Sequence, residues 1–431
     1  MRKNKINVIS LGCSKNLVDS EHLLRQLTAA GYQISHNPGR IDGEIVVVNT
    51  CGFIRDAQEE SINTILSLAK KKQEGKIRRL YVMGCLAERF MAELIPELPE
   101  VDRFFGKFSW HDLLAELGKS YNHDLVSERV LTTPPHYAYI KISEGCNRFC
   151  AFCAIPLITG RHKSVPPEQI LAEVRHLAEC GVKEFNVIAQ DLSSYGTDIS
   201  HRMMLPELIE QMAQIPGVEW IRLHYAYPTQ FPYDILPVMA RNPHVCSYLD
   251  IALQHISDKV LDNMRRHISR EQTLSLIQRI RAEVPGIHLR TTLMVGFPGE
   301  GEQEFRELLE FVEQARFERM GAFAYSEEEG TYAAQHFRDT IPEDVKQQRL
   351  QEIMALQEQI SLELNQAKVG KTLPVIIDRE DPDYYVGRTQ WDSPEVDNEV
   401  LISKTKPLSI GDFHQVRIHQ ALPFELLATP I

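Results

Sequence analysis

The sequence predicts an α/β protein in three parts: an open parallel α/β sheet, a partial (β/α) barrel and a small closed β-barrel. Three observations carry this. Short β-branched or apolar runs alternate with amphipathic helical stretches from the start of the chain to about residue 324, the pattern of parallel sheets with right-handed crossovers. A linker at residues 132–136, containing Pro134-Pro135, interrupts the alternation. From residue 368 helical periodicity gives way to short strands and turns. The boundaries drawn in this way are 1–125, 132–366 and 367–431.

In the first part, residues 6–11, 44–49 (with Ile-Val-Val-Val inside) and Arg79–Gly84 are strands. The helices between them cover 16–30, with Leu17, Leu23, Leu24 and Leu27 on one face, and 57–73, with Ile62, Ile65, Leu66 and Ala69 inward. A further helix covers 87–94. In the second part, strands are expected at 137–142, 184–189, 219–223, 248–252, 287–295 and Arg319–Ala324. Helices fit at 168–179, 206–214, 232–239, 269–283 and 302–314. Six βα units in a row suit a barrel or part of one better than a second open sheet. Glu343–Gln366 reads as a long, polar, exposed helix. The last part has candidate strands at 373–377, 384–387, 399–402 and 413–420, with Asp-Pro-Asp at 381–383 as a turn, which fits a five-stranded barrel.

Composition excludes several classes of function. With 43% hydrophobic and 25% charged residues the chain is not broadly disordered. No apolar run approaches the roughly 20 residues that span a bilayer, and the stretch after Met1-Arg2-Lys3-Asn4-Lys5 is too short for a signal peptide. The expectation is a cytoplasmic protein with no membrane partner. A net charge of −12 argues against strong non-specific nucleic-acid binding.

The eight cysteines are the informative residues. Cys13, Cys51 and Cys85 each fall just past a successive strand of the first part. In an open parallel sheet those ends lie side by side and ligands bind outside them, so three thiols distant in sequence should converge. The alternative is three buried core cysteines. Cys146, Cys150 and Cys153 form a C-x3-C-x2-C loop after the first barrel strand. Thiolates at this spacing can wrap an iron–sulfur cubane and leave one iron open. Zinc would need a fourth ligand such as His162, at an ill-suited spacing. Cys180 and Cys246 are expected to be structural, and no histidine stands in a metal-binding pattern. Gln190 and Asp191 end a strand, where they could reach a ligand or cap a helix. Gly296, Pro298 and Gly299 form a turn through which backbone could approach one.

The cysteine loop resembles that of radical S-adenosylmethionine (SAM) enzymes, in which the open iron chelates SAM and an electron from the cluster cleaves it to a 5′-deoxyadenosyl radical. The three-part architecture resembles the methylthiotransferases, whose last domain is called TRAM. That likeness implies two 4Fe-4S clusters, one on Cys13, Cys51 and Cys85 and the other on Cys146, Cys150 and Cys153. It also implies SAM as cofactor, SAM contacts at Gln190, Gly296, Pro298 and Gly299, an electron-donor protein and a sulfur donor. Five stretches resemble the branch that modifies an aspartate of small-subunit ribosomal protein uS12: Ser10-Leu-Gly-Cys13-Ser-Lys-Asn-Leu-Val-Asp-Ser-Glu21, Asn49-Thr-Cys51-Gly-Phe-Ile54, Ile188-Ala-Gln-Asp191, Leu253-Gln-His-Ile256 and Val295-Gly-Phe-Pro-Gly-Glu300. A transfer-RNA methylthiotransferase is the nearest alternative, and an iron–sulfur electron carrier the remoter one. From Lys368 onward the chain has seven bases and ten acids, which suits a basic protein substrate better than RNA.

Overall fold

A computed structural model describes residues 2–431. The first sheet is wholly parallel, with strand order Gln33–His36, Arg2–Ser10, Gly43–Thr50, Arg79–Gly84, Arg103–Phe104. Its two edge strands are short and carry little apolar patterning, so the periodicity reading missed them, as it missed the helix Trp110–Glu116. Apolar side chains from Ser14–Ala29 cover one face and those of Arg55–Gln73 the other. The second helix is rotated from the expected setting. Ser61, Ile65, Leu68 and Ala69 are buried and Leu66 is 49% exposed. The rotation follows from Ser61, whose hydroxyl receives the Cys51 N–H at 3.1 Å and lies 3.0 Å from the Cys51 carbonyl.

The second sheet is an open arc of six parallel strands in chain order: Tyr137–Lys141, Glu184–Ile188, Trp220–Ala226, Val245–Ile251, His288–Val295 and Arg319–Ala324. It is a partial barrel, with the first and last strands as its edges. Its helices bury a single large apolar core that continues onto Ile353 and Ile360 of Glu343–Gln366. That last helix is not the exposed element its polarity suggested. Its inward polar groups are satisfied by neighbours: Arg349 by Glu300 at 2.7 Å, Gln357 by the Phe317 carbonyl at 2.9 Å and Asn365 by the Leu422 carbonyl at 2.9 Å. A helix can bury a polar stripe when most of its groups find partners.

The C-terminal barrel is closed by five strands, Thr372–Glu380, Tyr384–Arg388, Glu399–Ser403, Glu425–Pro430 and Phe413–Ala421. The fourth, Glu425–Pro430, was not foreseen. This barrel docks against the N-terminal ends of the arc's strands through buried ion pairs. Arg388 binds Glu184 and Asp378, each at 2.6 Å. Arg319 binds Asp392 and Arg290 binds Asp397, at 2.9 and 3.2 Å. Tyr248 donates to Asp397 at 2.8 Å. Four of the ten acids, Asp378, Asp392, Asp397 and Asp412, are therefore spent on docking, and the bases Arg388 and Lys368 are buried too. The remaining residues are five bases and six acids, so the outer face keeps a slight acidic balance.

The first part packs on the arc's open side. The Arg129 guanidinium sits between Glu21 and Glu173, at 3.3 and 3.2 Å, and Glu21 also receives the Thr132 N–H at 2.7 Å. At the other edge, Arg89 binds Glu328 at 2.9 Å. Among the described residues no helix is long and apolar enough to cross a membrane.

Candidate active site

The loop carrying Cys146, Cys150 and Cys153 is pinned at both ends. Ser143–Glu144 pairs with Lys163–Ser164, and the Cys146 N–H donates to the Gly160 carbonyl at 3.2 Å. Gly145 has φ +75°, and a Cβ there would lie 2.2 Å from the Arg161 carbonyl oxygen, so only glycine fits. Ala151 is fully buried and bonded on both sides, to Met264 at 2.9 Å and Ala333 at 2.7 Å. Donors gather on one sulfur: Arg266 Nη1 is 3.2 Å and Tyr227 Oη 3.5 Å from Cys150 Sγ. Burial pushes the Cys146 thiol up to about 12 and raises that of Cys153 as well. Phe152 packs into an apolar cluster with Phe297, whereas Phe149 is 43% exposed.

The other three cysteines meet across three strand ends. A Cβ on Gly12 would lie 2.7 Å from Cys51 Sγ, and one on Gly52 would lie 2.8 Å from the Cys85 carbonyl carbon. The loops therefore touch, Cys13 to Cys51 and Cys51 to Cys85. Asn49 locks them from beneath, donating to Ser20 Oγ at 2.8 Å and to the Asn16 carbonyl at 3.1 Å. Burial raises the Cys51 and Cys85 thiols, Cys85 to about 12, and Cys13 acts in the same direction on both.

Between the two triads lies a set of buried charges that sequence reasoning missed. Lys107, only 3% exposed, reaches Asp19 at 3.3 Å and Glu144 at 3.1 Å. Lys141 binds the same two carboxylates, with Glu144 at 2.7 Å. Gln190 donates to Glu144. Burial disfavours the Glu144 carboxylate, but Lys141 and Lys107 outweigh it and hold the group at about 2. Lys107 also acts to lower the Cys85 thiol, and Glu144 stands two residues before Cys146. One charged bridge thus spans both thiol sites. Asp19 could have been suspected from the stretch ending at Glu21; a lone lysine such as Lys107 offers no signal in sequence.

A cavity of about 240 Å³ opens beside the first triad. Cys13, Tyr139, His224, Tyr225, Asp250 and Arg290 line it, and the loop 393–396 of the C-terminal barrel closes it. All three parts of the chain contribute to its wall.

The remaining expected contacts divide. Gln190 joins the bridge. Asp191 accepts from Ser193 N–H at 2.9 Å as a cap and binds Arg148 at 2.6 Å. Gly296 and Gly299 have φ of +74° and +97°, and their close approaches are to Lys346 and Asn263 of this chain. The Pro298 carbonyl accepts from Asn263 at 3.1 Å. Cys246 is buried, as expected of a structural residue, whereas Cys180 is exposed at a helix end. His162 is engaged by Ser164 at 3.1 Å.

By donor chemistry each set offers three free thiols, the ligand type of an iron–sulfur cluster, and Cys150 has the Arg266 N–H and the Tyr227 hydroxyl beside it. Among the described residues no three His, Cys, Asp or Glu groups are arranged for a single metal ion.

Comparison with known proteins agrees with this organisation. Residues 140–312 match the radical SAM superfamily, 5–106 the uncharacterized protein family UPF0004 and 369–431 the TRAM domain. Among solved structures, the radical SAM methyltransferase TsrM from Kitasatospora setae, with cobalamin and a [4Fe-4S] cluster bound, is 12% identical with a TM-score of 0.54, covering 95% of this chain and 84% of that one, a likeness of fold. The ribosomal protein uS12 methylthiotransferase RimO of Parabacteroides distasonis is 63% identical over 99% of both chains. That of Porphyromonas gingivalis W83 is 58% identical, again over 99% of both. The chain belongs to the RimO family of ribosomal protein uS12 methylthiotransferases, within the radical SAM superfamily.

Proposed function

We propose that this protein methylthiolates uS12, inserting sulfur at the β-carbon of an aspartate and methylating that sulfur from SAM. Membership of the radical SAM superfamily implies SAM and one 4Fe-4S cluster. Cys146, Cys150 and Cys153 would hold that cluster, and Cys13, Cys51 and Cys85 a second. When bound, the first supplies the electron that cleaves SAM, and the second takes part in delivering sulfur.

Residues of the chain do the rest. Arg266 and Tyr227 offer hydrogen bonds to the Cys150 sulfur, and Phe152 with Phe297 keeps that side dry. Gln190 is proposed to face SAM, held by Glu144. Gly296, Pro298 and Gly299 are proposed to shape the neighbouring wall. The division of labour follows the segments 1–125, 132–366 and 367–431, with an electron-donor protein and a sulfur source completing the reaction. The observation that carries the reading is the buried bridge of Lys107 and Glu144, which ties the two thiol sets into one site beside a cavity. A mere electron carrier needs no such cavity, and the acidic outer face of the last domain favours a basic protein over transfer RNA.

The test is a competition: purified uS12 and bulk transfer RNA in one reaction with SAM, a reductant and a sulfur source. Mass spectrometry should find the mass of a methylthio group on the uS12 aspartate. Modification of an adenosine in RNA alone would reverse the assignment.

A further inference from the structure

Among the described residues Lys15 is a buried cation with no carboxylate at ion-pair distance, and it stands beside the sulfur site. Lys15, two residues after Cys13, is 9% exposed. Its ammonium lies 3.3 Å from the centroid of the Tyr225 ring, and among the described residues it meets no carboxylate at ion-pair distance. Both Tyr225 and Cys13 line the 240 Å³ cavity. Lys15 also acts electrostatically on His224 and Asp250, two further lining residues.

The other charges of this wall have partners, Glu395 among them, which accepts from the Tyr137 hydroxyl at 3.3 Å. Arg290 is shared by Asp250 at 3.6 Å and Asp397 at 3.2 Å. His224 is kept neutral, first by burial and then by the cations around it. Tyr225 itself is held out of regular geometry at φ +63°, a conformation that disfavours a bulky residue. That distortion sets the ring under the ammonium. A cation–π contact satisfies one side of an ammonium with three donors, and burying such a charge without an anion is costly.

We propose that the Lys15 ammonium receives the side-chain carboxylate of the substrate aspartate and so selects aspartate over its amide. This rests on the methylthiotransferase reading above. An incoming carboxylate would complete the unpaired cation and set its β-carbon, one bond away, beside Cys13. The cavity is of a size that a single residue of a protein loop fills. Lys15 is thus a specificity residue of the known reaction, contributing a fixed charge.

The experiment measures binding of uS12 and of its Asp→Asn version at the modified position to the full-length, cluster-reconstituted protein. Wild type should prefer the aspartate form by about 30-fold, the scale of a buried charge pair. Lys15→Met should reduce the preference to within about threefold and Lys15→Arg should keep most of it. Iron content and the unfolding midpoint report whether each variant folds. Equal binding of the two forms by wild type overturns the proposal without any variant, and so does an undiminished preference in folded Lys15→Met. Mass spectrometry of the wild-type reaction separates the two levels. If uS12 is methylthiolated while the preference is insensitive to Lys15, only this inference falls; if uS12 is never modified, the proposed function falls with it.

Discussion

The two cysteine triads proposed to hold clusters are assembled by opposite routes. Cys146, Cys150 and Cys153 lie within eight residues of one loop, whose shape is set by its own backbone bonds and by a glycine that admits no side chain. Cys13, Cys51 and Cys85 come from three strand ends, and their meeting depends on the whole first sheet. The loop triad draws its donors from the barrel, Arg266 and Tyr227, whereas beside the sheet triad stands Lys107 of the same domain, which pairs with Glu144 across the domain boundary. A local site can therefore tolerate changes in its surroundings, while a site built from distant strand ends is sensitive to how the domains pack.

The largest test of this contrast removes the thiols themselves. Reconstituted protein should hold about eight irons by the two-cubane reading. Substituting alanine at Cys146, Cys150 and Cys153 together should leave about half and abolish 5′-deoxyadenosine formation. Cys13→Ala should instead still cleave SAM and yield no methylthiolated uS12. Full iron in the triple variant would break the assignment of the loop.

A smaller effect is expected from the bridge. Lys107→Met leaves Asp19 and Glu144 with one cation between them, and removing one partner of a buried pair costs about 3–5 kcal/mol. Urea unfolding should show that loss. Iron should be lost from the sheet triad first, with SAM cleavage retained; equal loss from both triads would mean that the two sites do not differ in their dependence on domain packing.

The smallest expected effect is a control at the far end of the barrel. Asp378→Asn weakens the carboxylate that Arg388 and His136 share, worth about 2 kcal/mol for a charged hydrogen bond. It should lower the unfolding midpoint while leaving iron content and SAM cleavage at wild-type values. A loss of iron there would show that domain docking matters to the loop triad as well.

The nearness of Cys146, Cys150 and Cys153 was legible from their spacing alone, because residues of one short loop are held together by a few covalent steps. The sheet triad was legible less directly, through cysteines recurring at the same place in each βα unit. Apolar periodicity found nearly all the long elements, and failed where the determinant was a polar contact. Leu66 points outward because Ser61 bonds to Cys51, and the polar helix Glu343–Gln366 is buried because Glu300, Phe317 and Leu422 supply partners.

The sequence by itself determined the alternation of strands and helices, the three-part organisation and the placing of cysteines at successive strand ends and in one short loop, since these depend on neighbours along the chain. Only the tertiary structure decided how the parts face one another: that Lys107 and Glu144 bridge the triads, that Asp392 and Asp397 are spent on docking, and that Lys15 is left unpaired beside Cys13. A buried charge is defined by which distant groups share its low-dielectric surroundings, and that is a property of packing, which residue type and spacing do not encode.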